Sequence, residues 1–317
     1  MATTSPPGHT ATLRRFNRTY TQRVGALDDS FLGLGWPLGA SRLIFEIGEA
    51  ATTVRELRER LDLDSGYLSR LLRRLTRAGV VEVRPDPADR RRRLVALTPE
   101  GARVRRELDV RSEERAAALI APLTDRQRDR LTEALATADL LVRAATVHLR
   151  TVPPDEPAAV EAVSRYVAEL DRRFPGGFDP GDALGKDPEA MSSPAGVFVV
   201  ATSDGEPVAC GGVQRLDART GEIKRMWVHP DWRGAGLGSR MLAHLEDQAR
   251  ELGFRRIHLD TNGTLVEAIA MYARAGYQPV ERYNDNPYAQ AWFVKDVARQ
   301  TAGATAGRQR RRGEARG

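Results

Sequence analysis

The sequence predicts two domains of different class. A mainly α domain with a helix pair and one short hairpin spans residues 1–150, and an α+β domain with a mixed central sheet spans 158–297. Three observations predict this. Residues 151–157, TVPPDEP, carry three prolines in seven positions; they close a long helical stretch and read as a linker. Before them leucines recur at helical spacing, whereas after them β-type runs alternate with helical ones. Charge divides at the same place. Residues 1–150 hold 27 arginines, no lysine and 20 carboxylates, a net +7, while 151–297 carry a net −6. The basic part is the one suited to a polyanion. Residues 298–317, net +5 and without apolar periodicity, are expected to be a disordered basic tail.

Composition narrows the class further. At 317 residues with 41% hydrophobic and 29% charged side chains, the chain can bury two cores and is too apolar for general disorder. No apolar run approaches the roughly 18 residues of a membrane span, and the first residues lack the apolar region of a secretory signal. A cytoplasmic protein with no membrane partner is expected. Cys210 is the single cysteine, so there is no internal disulfide and no thiolate metal site, and no metal is expected.

In the first domain a long helix is expected over 12–31, then a glycine-rich break at 33–39 and a second helix from Ser41. Thr53 and Glu56 have the spacing of a capping box and open a helix carrying Leu57 and Leu61. The next helix, 67–78, follows a turn and cap at 63–66. It lines Leu68, Leu71, Leu72 and Leu75 along one side and Tyr67, Ser69, Arg70, Arg73, Arg74 and Arg77 along the other, and Gly79 ends it. Two short helices with a basic, hydroxyl-rich face on the second form a helix-turn-helix that suits a major groove. Residues 80–83 and 94–97 then read as two strands around a tip with five arginines, whose self-repulsion a nucleic-acid backbone or minor groove would relieve. The alternative is a helical domain with a merely solvated basic hairpin.

The run LTRAGVVEVRPDPADRRRRLVALTPEG, with its helix order, resembles the MarR family of winged helix-turn-helix regulators over about 12–148. Asp89 and Arg91 match the family's wing Asp-x-Arg, and Leu97, Thr98 and Gly101 its Leu-Thr-x-x-Gly. The resemblance implies that Asp89 holds the wing and Arg91 enters a minor groove. It also implies homodimerisation through the terminal helices, here 12–31 and 101–149. The expected DNA-facing residues are Ser65, Tyr67, Ser69, Arg70, Arg73, Arg74, Asp89, Arg90 and Arg91, with double-stranded DNA as the partner.

In the second domain a helix is expected over 158–174, strands over 196–202, 207–216 and 222–229, a helix ending at Leu252, a strand over 255–260, a helix over 264–275 and two closing strands. The central feature is a strand running through Val228, His229 and Pro230 into Arg233-Gly234-Ala235-Gly236-Leu237-Gly238 and then directly into a helix. Three alternating glycines let backbone N–H groups converge on an anion, and the helix adds its free donors. Both the G-x-G-x-x-G spacing of dinucleotide folds and the Lys-Ser/Thr of a P-loop are missing.

This segment resembles the coenzyme A loop, Gln/Arg-x-x-Gly-x-Gly/Ala, of the GNAT superfamily of N-acetyltransferases, over about 155–296. Arg233, Gly236 and Gly238 fill its positions. The resemblance implies acetyl-CoA as acetyl donor. The pantetheine arm would lie on a strand splayed at a bulge near Met226, Trp227 and Val228, the pyrophosphate on the amides of 233–239, with the Ser239 hydroxyl added. It also gives Tyr272 the role of proton donor to the leaving thiolate, against its reading as a core aromatic, and lets Asn262 contact the pantetheine arm. Glu222 is the candidate base, against a solvated strand-start carboxylate, with His229 or water as alternatives. The expected function is a DNA-binding regulator that transfers acetyl directly to an amine, of a small molecule or of a protein lysine. The alternative is a transcription factor whose second domain only senses acetyl-CoA or a ligand.

Overall fold

The computed structural model describes residues 7–48, 50–181, 188–203 and 205–297. The tail expected at 298–317 lies outside the described residues. The chain divides into two compact units between Ala134 and Leu135.

The first unit contains α1 (Pro7–Arg23), α2 (Leu38–Ile47), β1 (Thr52–Thr53), α3 (Val54–Leu61), α4 (Ser65–Arg77), β2 (Val81–Pro85), β3 (Arg93–Leu97), α5 (Pro99–Ile120) and the start of α6 (Asp125–Thr146). The first helix ends at Arg23 rather than near 31, because the chain turns at Gly25 with φ +72°. The capping box at α3 is present: Thr53 Oγ1 accepts from the Glu56 amide and Glu56 accepts from the Thr53 amide. Asp64 caps α4 through the Tyr67 amide at 2.9 Å. Leu68, Leu71, Leu72 and Leu75 are buried with Leu43, Ile44, Leu57 and Val95. The wing has three strands in the order β1-β3-β2; a two-residue β1 leaves no periodic signal in the sequence. The Thr98–Gly101 pair has a plain cause: Thr98 caps α5 and donates to the Gly79 carbonyl, and a Cβ on Gly101 would lie 2.0 Å from the Val80 carbonyl oxygen.

The second unit adds β4 (His148–Val152), α7 (Pro157–Arg173), β5 (Val197–Ser203), β6 (Glu206–Arg215), β7 (Thr220–Val228), α8 (Leu237–Glu251), β8 (Arg256–Thr261), α9 (Val266–Arg274), β9 (Gln278–Pro279) and β10 (Ala291–Asp296). They form one seven-stranded sheet, order β4-β5-β6-β7-β8-β10-β9, antiparallel except where β7 and β8 run parallel around α8. The mixed sheet is therefore as expected.

The linker at 151–157 is not. His148–Val152 pairs with β5 from His148↔Thr202 to Val152↔Phe198, so the proposed boundary cuts through the sheet's first strand. The prolines lie inside this unit. Pro153 and Pro154 follow the strand, and Pro157 opens α7, a position where its missing N–H costs no helical bond. The end of α6 also belongs here. Ala144 and Val147 are buried with Trp232, Leu237 and Met241, and Arg240 of α8 donates to the carbonyls of Ala144 and Val147.

Candidate active site

The site is made by two strands that part company. Beta-strands β7 and β8 pair only from Thr220↔Arg256 to Ile223↔Leu259, yet β7 runs on to Val228 and β8 to Thr261. A bulge drives the divergence: Cys210 faces Trp227 but Gly212 faces Lys224, so Arg225 and Met226 together oppose Gly211. Arg225 takes φ +55°, and its carbonyl accepts from the Cys210 thiol at 3.4 Å. The opened backbone borders a cavity of about 390 Å³. Met226, Trp227 and Val228 line one wall, Ala268, Met271 and Tyr272 of α9 the other, and Arg233, Gly234, Gly236, Leu237, Gly238 and Ser239 close one end.

That end is built for an anion. Gly234 and Gly236 have φ of +81° and +78°, conformations closed to most side chains, and Gly236 is the N-cap of α8 without any side-chain cap. The first-turn amides of a 15-residue helix are thus left to a ligand. A Cβ on Gly238 would come within 3.2 Å of Met271 Sδ, so a larger residue would crowd the cavity.

Comparison with known proteins bears on this arrangement. Residues 165–277 match the model of the acetyltransferase (GNAT) family, and residues 32–92 that of the MarR family. The chain is 33% identical to the IAA acetyltransferase of Azospirillum brasilense over 132 residues, 40% of this chain and 86% of that protein. It is 30% identical to the uncharacterised N-acetyltransferase YjgM of Escherichia coli over 131 residues, 40% of this chain and 78% of that protein. A crystal structure of a GNAT-family acetyltransferase of Staphylococcus aureus aligns with 47% of this chain and 99% of that one, at 16% identity and a TM-score of 0.43. The chain belongs to the GNAT acetyltransferase family. It is an N-acetyltransferase that also carries a MarR-family winged-helix domain, and its fold implies use of acetyl-CoA.

In this acetyltransferase the phenol of Tyr272 reaches the cavity wall while the residue is only 6% exposed. Burial, and then the Asp260 carboxylate, push its pKa well above the usual phenol value. Glu222 does not join it. The residue is 3% exposed, is not part of the cavity lining, and accepts from Gln214, Tyr283 and Asn284 at 2.8–3.1 Å while pairing with Lys224 at 2.9 Å. Along β7, Glu222 and Lys224 lie on the side opposite Ile223, and Glu222 belongs to a buried network with Lys224 and Asp260 rather than being a solvated strand-start carboxylate. His229 caps the next turn by accepting from the Asp231 amide at 3.3 Å and stacks edge-on to Trp227.

Two of the expected cofactor-binding side chains have partners within the chain. Asn262 is spent on its own turn, accepting from the Thr264 amide and hydroxyl and donating to the Tyr288 carbonyl, and it is not among the residues lining the cavity. The Arg233 guanidinium turns back onto the protein, donating to the Val228 carbonyl at 3.1–3.2 Å and to Glu169. Glu169, Tyr166 and Arg173 of α7 and Glu267 of α9 also line the cavity and escaped the sequence reading. A signal existed: Ala162, Tyr166, Glu169 and Leu170 share one face of an amphipathic helix, which puts a carboxylate in a core stripe.

In the winged-helix domain, Ser65, Tyr67, Ser69, Arg70, Arg73 and Arg74 are exposed on α4, and Arg90 and Arg91 on the wing. Tyr67 leans inward, its hydroxyl against Gly39, and carries Arg70 5.8 Å above its ring. Asp89 shapes the wing: it accepts from the Arg91 amide at 3.0 Å and pairs with Arg92 at 3.4 Å. Among the described residues no helix is long and apolar enough to cross a membrane, and no group of acidic, His and Cys side chains could hold a metal.

Proposed function

We propose that the chain is a DNA-binding regulator that transfers the acetyl group of acetyl-CoA directly to an amine, with Tyr272 as the proton donor to the departing thiolate. The observation that supports this most is one cavity bordered at one end by the uncapped helix and glycine loop and walled by a buried phenol that keeps its proton. Acetyl-CoA supplies the acetyl group as a reactive thioester. The chain's part is to hold the pyrophosphate on the amides of 233–239, with the Ser239 hydroxyl, to keep the arm along Met226, Trp227 and Val228, and to supply one proton. The amine's proton leaves through water toward the Glu222–Lys224–Asp260 network, of which Asp260 is the member that acts on Tyr272 electrostatically. The acceptor is a small-molecule amine; a protein lysine has the same reacting chemistry, so both belong in the assay.

Purified protein is expected to release free coenzyme A from acetyl-CoA with some amine in a broad panel that includes lysine peptides. Tyr272→Phe should lower kcat by on the order of 10²-fold and leave the Kd for acetyl-CoA within about twofold. An unchanged kcat would remove Tyr272 from the reaction.

The winged-helix domain is proposed to bind double-stranded DNA as a homodimer. Its α4 arginines and Arg90 and Arg91 face solvent without carboxylate partners in the ion pairs found among the described residues. Exposed apolar side chains on α1 (Leu13, Phe16, Tyr20) and on α5 (Val110, Leu119, Ile120) give a dimer something to cover.

A further inference from the structure

We propose that Glu169 is a positioning residue for coenzyme A, holding the glycine loop in its binding conformation through Arg233. The inference rests on the reading of 233–239 as the pyrophosphate cradle. Glu169 sits on α7, is 6% exposed, and presents both carboxylate oxygens to donors that surround the cavity. Oε1 takes the Arg233 guanidinium and, at 3.4 Å, that of Arg173; Oε2 takes the Trp227 indole N–H at 2.8 Å.

Arg233 in turn caps the Val228 carbonyl, the last of the strand, at a point where β7 has already left β8. Without that cap the carbonyl would need water or another donor. One carboxylate therefore fixes the start of the loop, the end of the strand and the indole that forms part of the wall. Arg173 carries the link to the far side of the cavity, reaching Glu267 at 3.2 Å and the Thr264 carbonyl at 3.5 Å. Arg233, Glu169, Arg173 and Glu267 form a chain of alternating charge from the loop to α9, all four along the cavity.

A buried ion pair contributes little net stability when compared with an apolar replacement. What this one does is hold a loop whose amides must converge on an anion before the anion arrives, which raises affinity by removing the cost of ordering. The carboxylate stays ionised despite burial, because the two arginines and the indole hold its pKa below the usual value.

The test uses full-length protein with Glu169→Gln, Glu169→Asp and Arg233→Gln. Steady-state kinetics gives KM for both substrates, calorimetry gives the Kd of coenzyme A alone, and thermal melting checks folding. Glu169→Gln is expected to raise the acetyl-CoA KM and the coenzyme A Kd about tenfold, the size of coupling within a charged network. Saturated kcat and the KM for the amine should stay within about twofold, since the reacting groups are untouched. Glu169→Asp should recover part of the affinity. Arg233→Gln, at a more exposed side chain, should reproduce the rise if Glu169→Gln fails to fold. A folded Glu169→Gln or Arg233→Gln protein with unchanged coenzyme A Kd overturns the proposal, as does a loss confined to kcat. Wild-type protein that binds no coenzyme A overturns both this and the cradle reading.

Discussion

At the scale of single residues the chemistry turns on where protons are held. Tyr272 has its phenol in a buried wall, and both burial and the Asp260 carboxylate oppose its ionisation. A raised phenol pKa means that the donor form persists above pH 10, where a free tyrosine would be losing it. The acceptor amine, by contrast, becomes more nucleophilic as pH rises. The rate at saturating acetyl-CoA is therefore expected to climb with pH and show no descending limb below about pH 10. A fall in kcat between pH 8 and 10 in a protein that stays folded would assign the proton donor to a different group. Glu222 illustrates the opposite case. Its position on β7 is easily found in the sequence, but its carboxylate's partners, three donating neighbours and Lys224, are not.

At the scale of elements, each of the two working helices depends on its N-terminus. The α3 capping box satisfies two amides that the helix cannot satisfy itself. Thr53→Ala should cost about 1 kcal/mol and lower the melting temperature of the winged-helix domain by a few degrees, as seen by calorimetry. The α8 terminus has no such cap, which leaves its donors to a ligand at some cost in stability. For the wing, the element is the hairpin β2–β3, whose tip Asp89 folds back on the Arg91 amide while Arg91 stays exposed. Arg91→Ala should weaken DNA binding and reduce the slope of log K against log salt by about 1. Fluorescence anisotropy across a salt series measures both. An unchanged slope would mean that the wing does not reach the phosphates.

At the scale of the whole molecule, the acetyltransferase fold begins earlier than its proline-rich segment suggests. Its sheet includes His148–Val152, and its core includes Ala144 and Val147 from the end of α6, with Arg240 holding two carbonyls there. A fragment of residues 135–297 should melt cooperatively and retain acetyl-CoA binding. A fragment of 158–297 lacks the first strand, bares the edge of β5 and loses part of the core, so it should aggregate or melt without cooperativity. Equal stability of the two fragments would show that β4 and the α6 end are dispensable.

What the sequence determined by itself is local. The capping box, the leucine face of α4, the arginine wing, the alternating glycines before α8 and the meander-to-parallel order of strands are all set by neighbours a few positions apart, and periodicity and turn chemistry report them. Only the tertiary structure decided which way side chains of ambiguous position turn and where strands meet. Strand β4 has no pattern of its own and exists because β5 offers an edge. Glu222 and Glu169 are both carboxylates whose neighbours in sequence do not name their partners: the helical stripe puts Glu169 on a core-facing side and goes no further. Packing placed Glu222 in a network with Lys224 and Asp260, while α7 brought Glu169 to Arg233 across 64 positions of chain. A contact between distant residues depends on how faces pack, and no local signal carries that.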